Sequence, residues 1–181
     1  MDTKATFRAF DEYLEARGLR LEAVVIGGAA LNLLDVIDRP TKDCDVLDPL
    51  LPAPVAEAAR AFAVDERTRG EILRDDWINN GPSSLVDVLP SGWRERIPVR
   101  PIFSGQAIVL RTLGRADLLK TKLFALCDRG EDIDDCVALA PTAEELAEAL
   151  PWVERQDANE LWPDHVRATI ADLGRRLGHA L

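Results

Sequence analysis

The sequence has few of the residues that build metal-bound or disulfide-bonded domains. Its three cysteines, Cys44, Cys127 and Cys136, form no C-x-x-C pair and lack the spacing of zinc ligands. Only two histidines are present, and neither belongs to a catalytic pattern. A chain of 181 residues can bury a core without such cross-links. We therefore expect no structural zinc, no disulfide and a reducing compartment.

Long apolar runs, repeats and flexible linkers are also missing. The longest apolar stretch, residues 23–31, is far shorter than the roughly 20 residues that cross a bilayer. No Gly/Ser-rich linker, low-complexity tract or internal repeat divides the chain. These absences predict one globular cytoplasmic domain with no membrane partner.

Charge is distributed unevenly along the chain, whose net charge is −10. Residues 131–160 hold ten acids and one base, whereas residues 94–129 hold eight bases and three acids. Both runs can be ordinary solvated faces. Alternatively, the basic run supplies positive potential for a phosphate-bearing ligand, and the acidic run offers a surface to a basic protein partner.

Hydrophobic periodicity predicts a mixed set of elements before residue 113 and helices after it. A helix over residues 115–129, a capping box at Thr142 and Glu145, and a helix over 163–179 are expected in the last third. Gly18 is expected to end the first helix in a left-handed conformation. The other predicted helices cover 3–17, 29–36 and a segment ending near 65, and the predicted strands cover 21–26, 43–47, 85–89, 98–103 and 107–113.

This order of elements predicts an α/β protein of the α+β type. Residues 1–113 are expected to form a small, mixed, twisted sheet flanked by helices. Residues 114–181 are expected to form a helical part packed on that sheet, so that the whole chain is one structural domain.

A glycine pair, Gly27-Gly28, separates the first predicted strand from the helix that follows. Backbone N–H groups at such a turn point outward at the positive end of a helix dipole, where they can bind phosphate. Glycine also occurs at turns simply because it tolerates unusual backbone angles. The pair alone leaves both interpretations open.

Two aspartates, Asp43 and Asp45, lie on the next predicted strand. Residues two apart on a strand share a face, so their carboxylates are about 6.6 Å apart at roughly 3.3 Å per residue. Such a pair can hold the divalent cations that assist displacement at phosphorus. Two solvent-facing aspartates at a strand end are the alternative.

Taken together, these segments resemble the polymerase-β-like nucleotidyltransferase superfamily, in which a glycine turn precedes a strand with an Asp-x-Asp metal-binding pair. The matching segments are VVIGGAALNLL and RPTKDCDV. The downstream segment LLKTKLFALCDRGEDIDD resembles the signature of a small bacterial branch related to AbiEii-type toxin nucleotidyltransferases. The segment DWINNGP resembles the Trp-x-Asn segment of that branch.

The resemblance implies transfer of a nucleoside monophosphate from an NTP to an acceptor hydroxyl, with release of pyrophosphate. It implies that Mg²⁺ or Mn²⁺ binds Asp43, Asp45 and a third carboxylate, for which Asp87 is the candidate and Asp75 and Asp76 are alternatives. The phosphate-binding residues that it implies are Gly27, Gly28, Arg39, Lys122 and Arg129.

Two features depart from the superfamily pattern. Ala29 follows the glycine pair where many members have a phosphate-binding serine, and the third carboxylate has no unique candidate. These departures favour an alternative function, a catalytically inactive module such as a nucleotide sensor or a toxin–antitoxin component. The acceptor is equally open, because an RNA end, a protein side chain and a small molecule all carry suitable hydroxyls.

Overall fold

The computed structural model describes residues 2–179, which form two compact units. The sheet unit comprises residues 2–89 and 94–113, and the helical unit comprises residues 90–93 and 114–179. In chain order the elements are α1 (Thr3–Glu15), β1 (Leu21–Ile26), α2 (Gly27–Leu33), β2 (Cys44–Asp48), α3 (Ala53–Thr68), β3 (Ile78–Asn79), a 3₁₀ helix (Gly81–Asp87), β4 (Phe103–Ser104), β5 (Ile108–Arg111), α4 (Arg115–Arg129), α5 (Ile133–Leu139), α6 (Ala143–Val153) and α7 (Trp162–Arg176).

The five strands form one mixed sheet in the order β3-β2-β1-β5-β4. Strand β1 is central, antiparallel to β2 and parallel to β5. Strand β3 extends the sheet parallel to β2, and β4 extends the other edge antiparallel to β5. The expected α+β class with a small mixed sheet is therefore confirmed.

One face of this sheet is covered by α1 and α3. Strand residues such as Val25, Val46 and Ile108 are fully buried in a common core with Phe10 and Phe62 of the helices. Aromatic rings fill the centre of that core, where Trp77 lies against both Phe7 and Phe10. The apolar side chains that alternate along the strands thus point toward these helices.

The opposite face of the sheet, here called the polar face, carries Glu22, Asp45 and Asn79 together with the apolar side chains of Val24 and Ile26. Glu22 forms an ion pair with Arg111 of β5. Strand residues paired across a sheet lie on the same face, so Asp45, which is paired with both the buried Ile26 and Asn79, shares its face with Asn79. Side chains that can bind a ligand are therefore present on this face.

The helical unit contains α4 to α7. Helix α4 runs from Arg115 to Arg129, as its periodicity predicts, and ends at Gly130 with φ +68°. The capping box at the start of α6 is also confirmed, because Thr142 and Glu145 exchange side-chain and backbone hydrogen bonds. None of the helices within residues 2–179 has the length and apolar character needed to cross a membrane.

The strand predicted over residues 85–89 is wrong. This segment lies at the end of the 3₁₀ helix, whose first turn contains Pro82. The N–H groups of Val88 and Leu89 donate to the carbonyl of Leu85. These local hydrogen bonds replace the sheet pairing expected from the apolar alternation. The sheet edge is instead formed by β3, and the strand expected over 98–103 begins only at Phe103.

Candidate active site

The glycine pair lies where β1 passes directly into α2. Gly27 is the first residue of α2 and has φ +74°, a left-handed conformation that glycine adopts without strain. A Cβ atom on Gly27 would lie 2.6 Å from Oδ2 of Asp45, and one on Gly28 would lie 3.1 Å from Cγ2 of Thr41. Glycine at position 27 is thus required both by the backbone and by the Asp45 carboxylate.

Asp43 and Asp45 flank a buried cysteine at the start of β2. Cys44 points into the core with no exposed surface, whereas both aspartates are half-buried, as alternation along a strand requires. Burial raises the pKa of the Cys44 thiol, and the nearby carboxylates of Asp45 and Asp43 raise it further. Both carboxylates therefore lie near the thiol at this end of the strand, and the thiol is unreactive.

The two carboxylates are chemically suited to Mg²⁺ or Mn²⁺. Hard divalent cations prefer carboxylate and amide oxygens, and bound phosphates and water complete their coordination. Asp43 forms no ion pair with any residue in the described range 2–179. Asp43 and Asp45 are the residues that would hold such a cation.

Asn79 lies beside Asp45 and was not among the predicted site residues. The pairing of Asp45 with Asn79 across parallel strands places both side chains on the polar face. The Asn79 side chain accepts a hydrogen bond from the Gly81 N–H at 2.6 Å. The sequence signal for it was the DWINNGP segment, which suggested no role for the amide.

A second glycine, Gly81, lies close to the Asn79 amide. A Cβ atom on Gly81 would lie 2.8 Å from Oδ1 of Asn79 and 4.0 Å from Oδ1 of Asp45. The Asp45 carboxylate thus has Gly27 next to Oδ2 and Gly81 on the side of Oδ1. Gly27 directly follows β1, and Gly81 comes two residues after the end of β3; both strands pair with β2.

The candidate third carboxylates lie outside the sheet. Asp87 is the last residue of the 3₁₀ helix and is exposed, so the strand on which it was expected does not exist. Asp75 and Asp76 precede β3 and form ion pairs with Arg67 and Arg74, each at 2.7 Å. Among residues 2–179, no group of three or more acidic, histidine or cysteine side chains is arranged to hold a metal. The metal role of Asp87 stays a prediction.

Arg39 lies in the loop between α2 and β2, at the edge of a cavity of about 560 Å³. Lys4 and Arg8 of α1 also line this cavity, and Lys4 is paired with Asp35. The Asn32 side chain donates to the carbonyl of Arg39 at 3.1 Å and so fixes the loop. The phosphate contact predicted for Arg39 stays a prediction.

In the helical unit, Lys122 is bound by two carboxylates. Its side chain is 5% exposed, and its Nζ lies 2.6 Å from Oδ2 of Asp135 and 3.1 Å from Oδ1 of Asp132. Arg129 lies 3.6 Å from the other oxygen of Asp132. These hydrogen bonds occupy two of the three donors of the Lys122 ammonium. The phosphate contacts predicted for Lys122 and Arg129 stay predictions.

One protein family, described as "Nucleotidyltransferase of unknown function (DUF6036)", matches residues 5–145. The chain belongs to this family. The match covers most of the chain and includes every residue predicted to bind metal or phosphate. No curated protein and no solved structure matches the chain. Membership in DUF6036 supports nucleotidyl transfer in general and leaves the AbiEii-type branch a prediction.

Proposed function

We propose that this member of DUF6036 is a metal-dependent enzyme that transfers a nucleoside monophosphate from an NTP to an acceptor hydroxyl. The observation that carries the proposal is the position of Asp43 and Asp45 at the start of β2, where the Asp45 carboxylate lies directly beside Gly27. Two hard carboxylates suit the cation of a nucleoside triphosphate, and backbone N–H groups at a turn from a strand into a helix suit its phosphates. Family membership supports the same class of reaction.

In the proposed reaction, the acceptor oxygen forms a bond to the α-phosphorus while the bond from that phosphorus to the bridging oxygen of pyrophosphate breaks. The acceptor hydroxyl gives its proton to solvent water, and pyrophosphate leaves with the electron pair of the broken bond. A bound Mg²⁺ or Mn²⁺ supplies charge neutralisation and a lowered pKa of the acceptor hydroxyl. Asp43 and Asp45 hold the cation, and the N–H groups of Gly27 and Gly28 orient the phosphates.

A second candidate function is that of a catalytically inactive binding module, such as a nucleotide sensor or a toxin–antitoxin component. It is favoured by the exposed position of Asp87 and by Ala29, which offers no hydroxyl to a phosphate. In this function the acidic segment 131–160 would bind a basic protein partner. The enzyme requires an NTP site and pyrophosphate release, a nucleotide sensor requires the NTP site alone, and a partner-binding module requires neither.

Calorimetric titration with ATP, GTP, CTP and UTP, with and without Mg²⁺, tests the shared part of the proposal without knowledge of the acceptor. We expect one or more NTPs to bind in a Mg²⁺-dependent manner and the Asp43→Ala/Asp45→Ala double variant to lose this binding. The matched control is Glu57→Ala/Asp65→Ala, which removes two exposed carboxylates from α3. Equal binding by wild type and the Asp43/Asp45 variant would show that the assigned metal role is wrong.

Pyrophosphate release then separates enzyme from binding module. The nucleotide that binds is supplied with candidate acceptors of the three classes, namely RNA ends, proteins and small hydroxyl compounds. Release that depends on both an acceptor and Asp45 supports the enzyme. Tight binding with no release across all three classes supports the non-catalytic function.

A further inference from the structure

We infer that Asn79 supplies the third oxygen of the cation site, in the place where a third carboxylate was expected. The inference rests on the proposed metal role of Asp43 and Asp45 and adds a neutral ligand to it. The inferred ligand set is two carboxylates and one neutral amide oxygen.

The first support is the register of the sheet. Strand β3 is the neighbour of β2 on the side away from β1, and its residue in register with Asp45 is Asn79. Side chains paired in this way project from the same face. The amide of Asn79 is therefore the polar side chain that β3 places next to Asp45.

The second support is the space beside Gly81. The point where a Cβ atom of Gly81 would lie is 2.8 Å from Oδ1 of Asn79 and 4.0 Å from Oδ1 of Asp45. One oxygen from each side chain therefore faces the position of a Gly81 Cβ atom, with Asn79 Oδ1 in close contact and Asp45 Oδ1 at ordinary van der Waals distance. A larger residue at position 81 would displace the Asn79 amide.

The third support is the fixed orientation of the Asn79 amide. Its Nδ2 donates to the carbonyl of Asp76 at 3.4 Å, and its Oδ1 accepts from the Gly81 N–H at 2.6 Å. A carbonyl oxygen has two lone pairs, so Oδ1 retains one for a cation. Hydrogen bonds that orient a ligand in this way are typical of metal sites.

The alternative for Asn79 is a purely structural role, in which its side chain only shapes the turn into the 3₁₀ helix. The two roles differ in how cation affinity responds to charge. If Oδ1 is a ligand, a carboxylate at position 79 adds a negative charge to the ligands of the cation, and the cation binds more tightly. If the amide only shapes the turn, the same change leaves cation affinity unchanged and affects folding alone.

The experiment measures Mn²⁺ binding to the full chain without nucleotide, by electron paramagnetic resonance of the free ion. We expect one Mn²⁺ per wild-type chain. We expect Asn79→Ala to weaken this binding by about tenfold and Asn79→Asp to strengthen it by a similar factor. The matched control is Ser104→Asp, which adds the same charge at an exposed position of edge strand β4.

The outcomes separate this inference from the proposed function. Unchanged Mn²⁺ affinity in both Asn79 variants, with loss of binding in Asp43→Ala/Asp45→Ala, would overturn the role of Asn79 and leave the metal site intact. Wild-type protein that binds no Mn²⁺ at the Asp43/Asp45 pair would overturn both. Equal strengthening by Asn79→Asp and Ser104→Asp would show a general charge effect and would also overturn the inference. Thermal unfolding of each variant shows whether the protein used in the binding measurement is folded. If a variant at position 79 does not fold, Asn79→Ser is measured in its place.

Discussion

The two units of the chain each contain a cluster of charged side chains, but the clusters are built differently. In the helical unit, the buried ammonium of Lys122 lies between the carboxylates of Asp135 and Asp132. In the sheet unit, Asp43 and Asp45 bring charges of the same sign to one end of β2, where glycines leave space around them. The first arrangement pairs opposite charges within the protein, and the second gathers charges of the same sign, of which Asp43 forms no ion pair within residues 2–179.

This difference has an energetic basis. A charge transferred from water to the protein interior loses several kcal/mol of solvation, which a well-placed opposite charge regains. Two like charges close together repel each other, and the repulsion grows as water is excluded. Such pairs persist where they bind a cation, so like-charge clusters indicate function and opposite-charge clusters indicate structure. The following predictions test this distinction, beginning with the largest effect.

The largest effect is expected from Lys122→Met. Removing the ammonium takes from Asp135, which is fully buried, its ion pair with Lys122, and such losses cost about 3–5 kcal/mol. Urea unfolding followed by circular dichroism measures the change. The control is Arg129→Met on the same helix, which removes a 58%-exposed partner of Asp132 and should cost less than about 1 kcal/mol. If the two variants were equally stable, the Lys122 cluster would not be a structural ion pair.

The next effect is expected from Gly27→Ala in the sheet unit. The left-handed backbone of Gly27 costs an alanine about 1–2 kcal/mol, and the new Cβ would lie 2.6 Å from the Asp45 carboxylate. The variant should therefore lose stability and also Mg²⁺-dependent NTP binding.

The control for Gly27→Ala is Gly18→Ala. Gly18 has a similar φ of +66° but no atom within 4 Å of its Cβ position, so only the backbone cost applies. The two variants are compared by urea unfolding and by NTP titration. Loss of NTP binding in Gly18→Ala as well would show that the effect at Gly27 is not specific to Asp45.

A smaller effect, dependent on pH, is expected at the start of α6. The hydrogen bond from Arg115 holds the pKa of Glu145 below its ordinary value, with a further contribution from the Thr142 backbone. A carboxyl whose pKa is lower in the folded state stabilises the fold above its unfolded pKa of about 4.3, and this contribution is lost as pH falls through the folded value. Glu145→Gln should cost about 1 kcal/mol at pH 7 and nothing well below pH 4.

The pH dependence is measured by urea unfolding at several values from pH 7 downward. Glu144→Gln is the control, since Glu144 is the exposed neighbour in the same first turn. The interpretation fails if Glu145→Gln destabilises the protein equally at all pH values.

Elements with strong local signals were predictable from the sequence. The α4 boundaries, the strand Leu21–Ile26 and the Thr142 capping box follow from periodicity and capping chemistry within a few residues. The aspartate pair beside the glycine turn was predictable for the same reason, because strand alternation and chain proximity determine which face Asp43 and Asp45 share.

Features that depend on distant pairing were not predictable. Strand β3 has only two residues, and it exists because Ile78 and Asn79 pair with Cys44 and Asp45 more than thirty positions earlier. The position of Asn79 beside Asp45 is therefore a consequence of tertiary structure. The apolar alternation of residues 85–89 suggested a strand because sequence periodicity does not show which segment occupies the sheet edge.

The smallest effect on stability is expected from Asp43→Asn, and it is the counterpart of Lys122→Met. The change removes one of two neighbouring negative charges from a side chain that forms no ion pair within residues 2–179. We therefore expect the free energy of unfolding to stay the same or to rise by up to about 1 kcal/mol, while Mn²⁺ binding falls sharply. Asp135→Asn is the comparison in the helical unit, where the same change should destabilise the fold because Lys122 would lose a buried partner at 2.6 Å. A loss of stability in Asp43→Asn as large as in Asp135→Asn would mean that both clusters are structural.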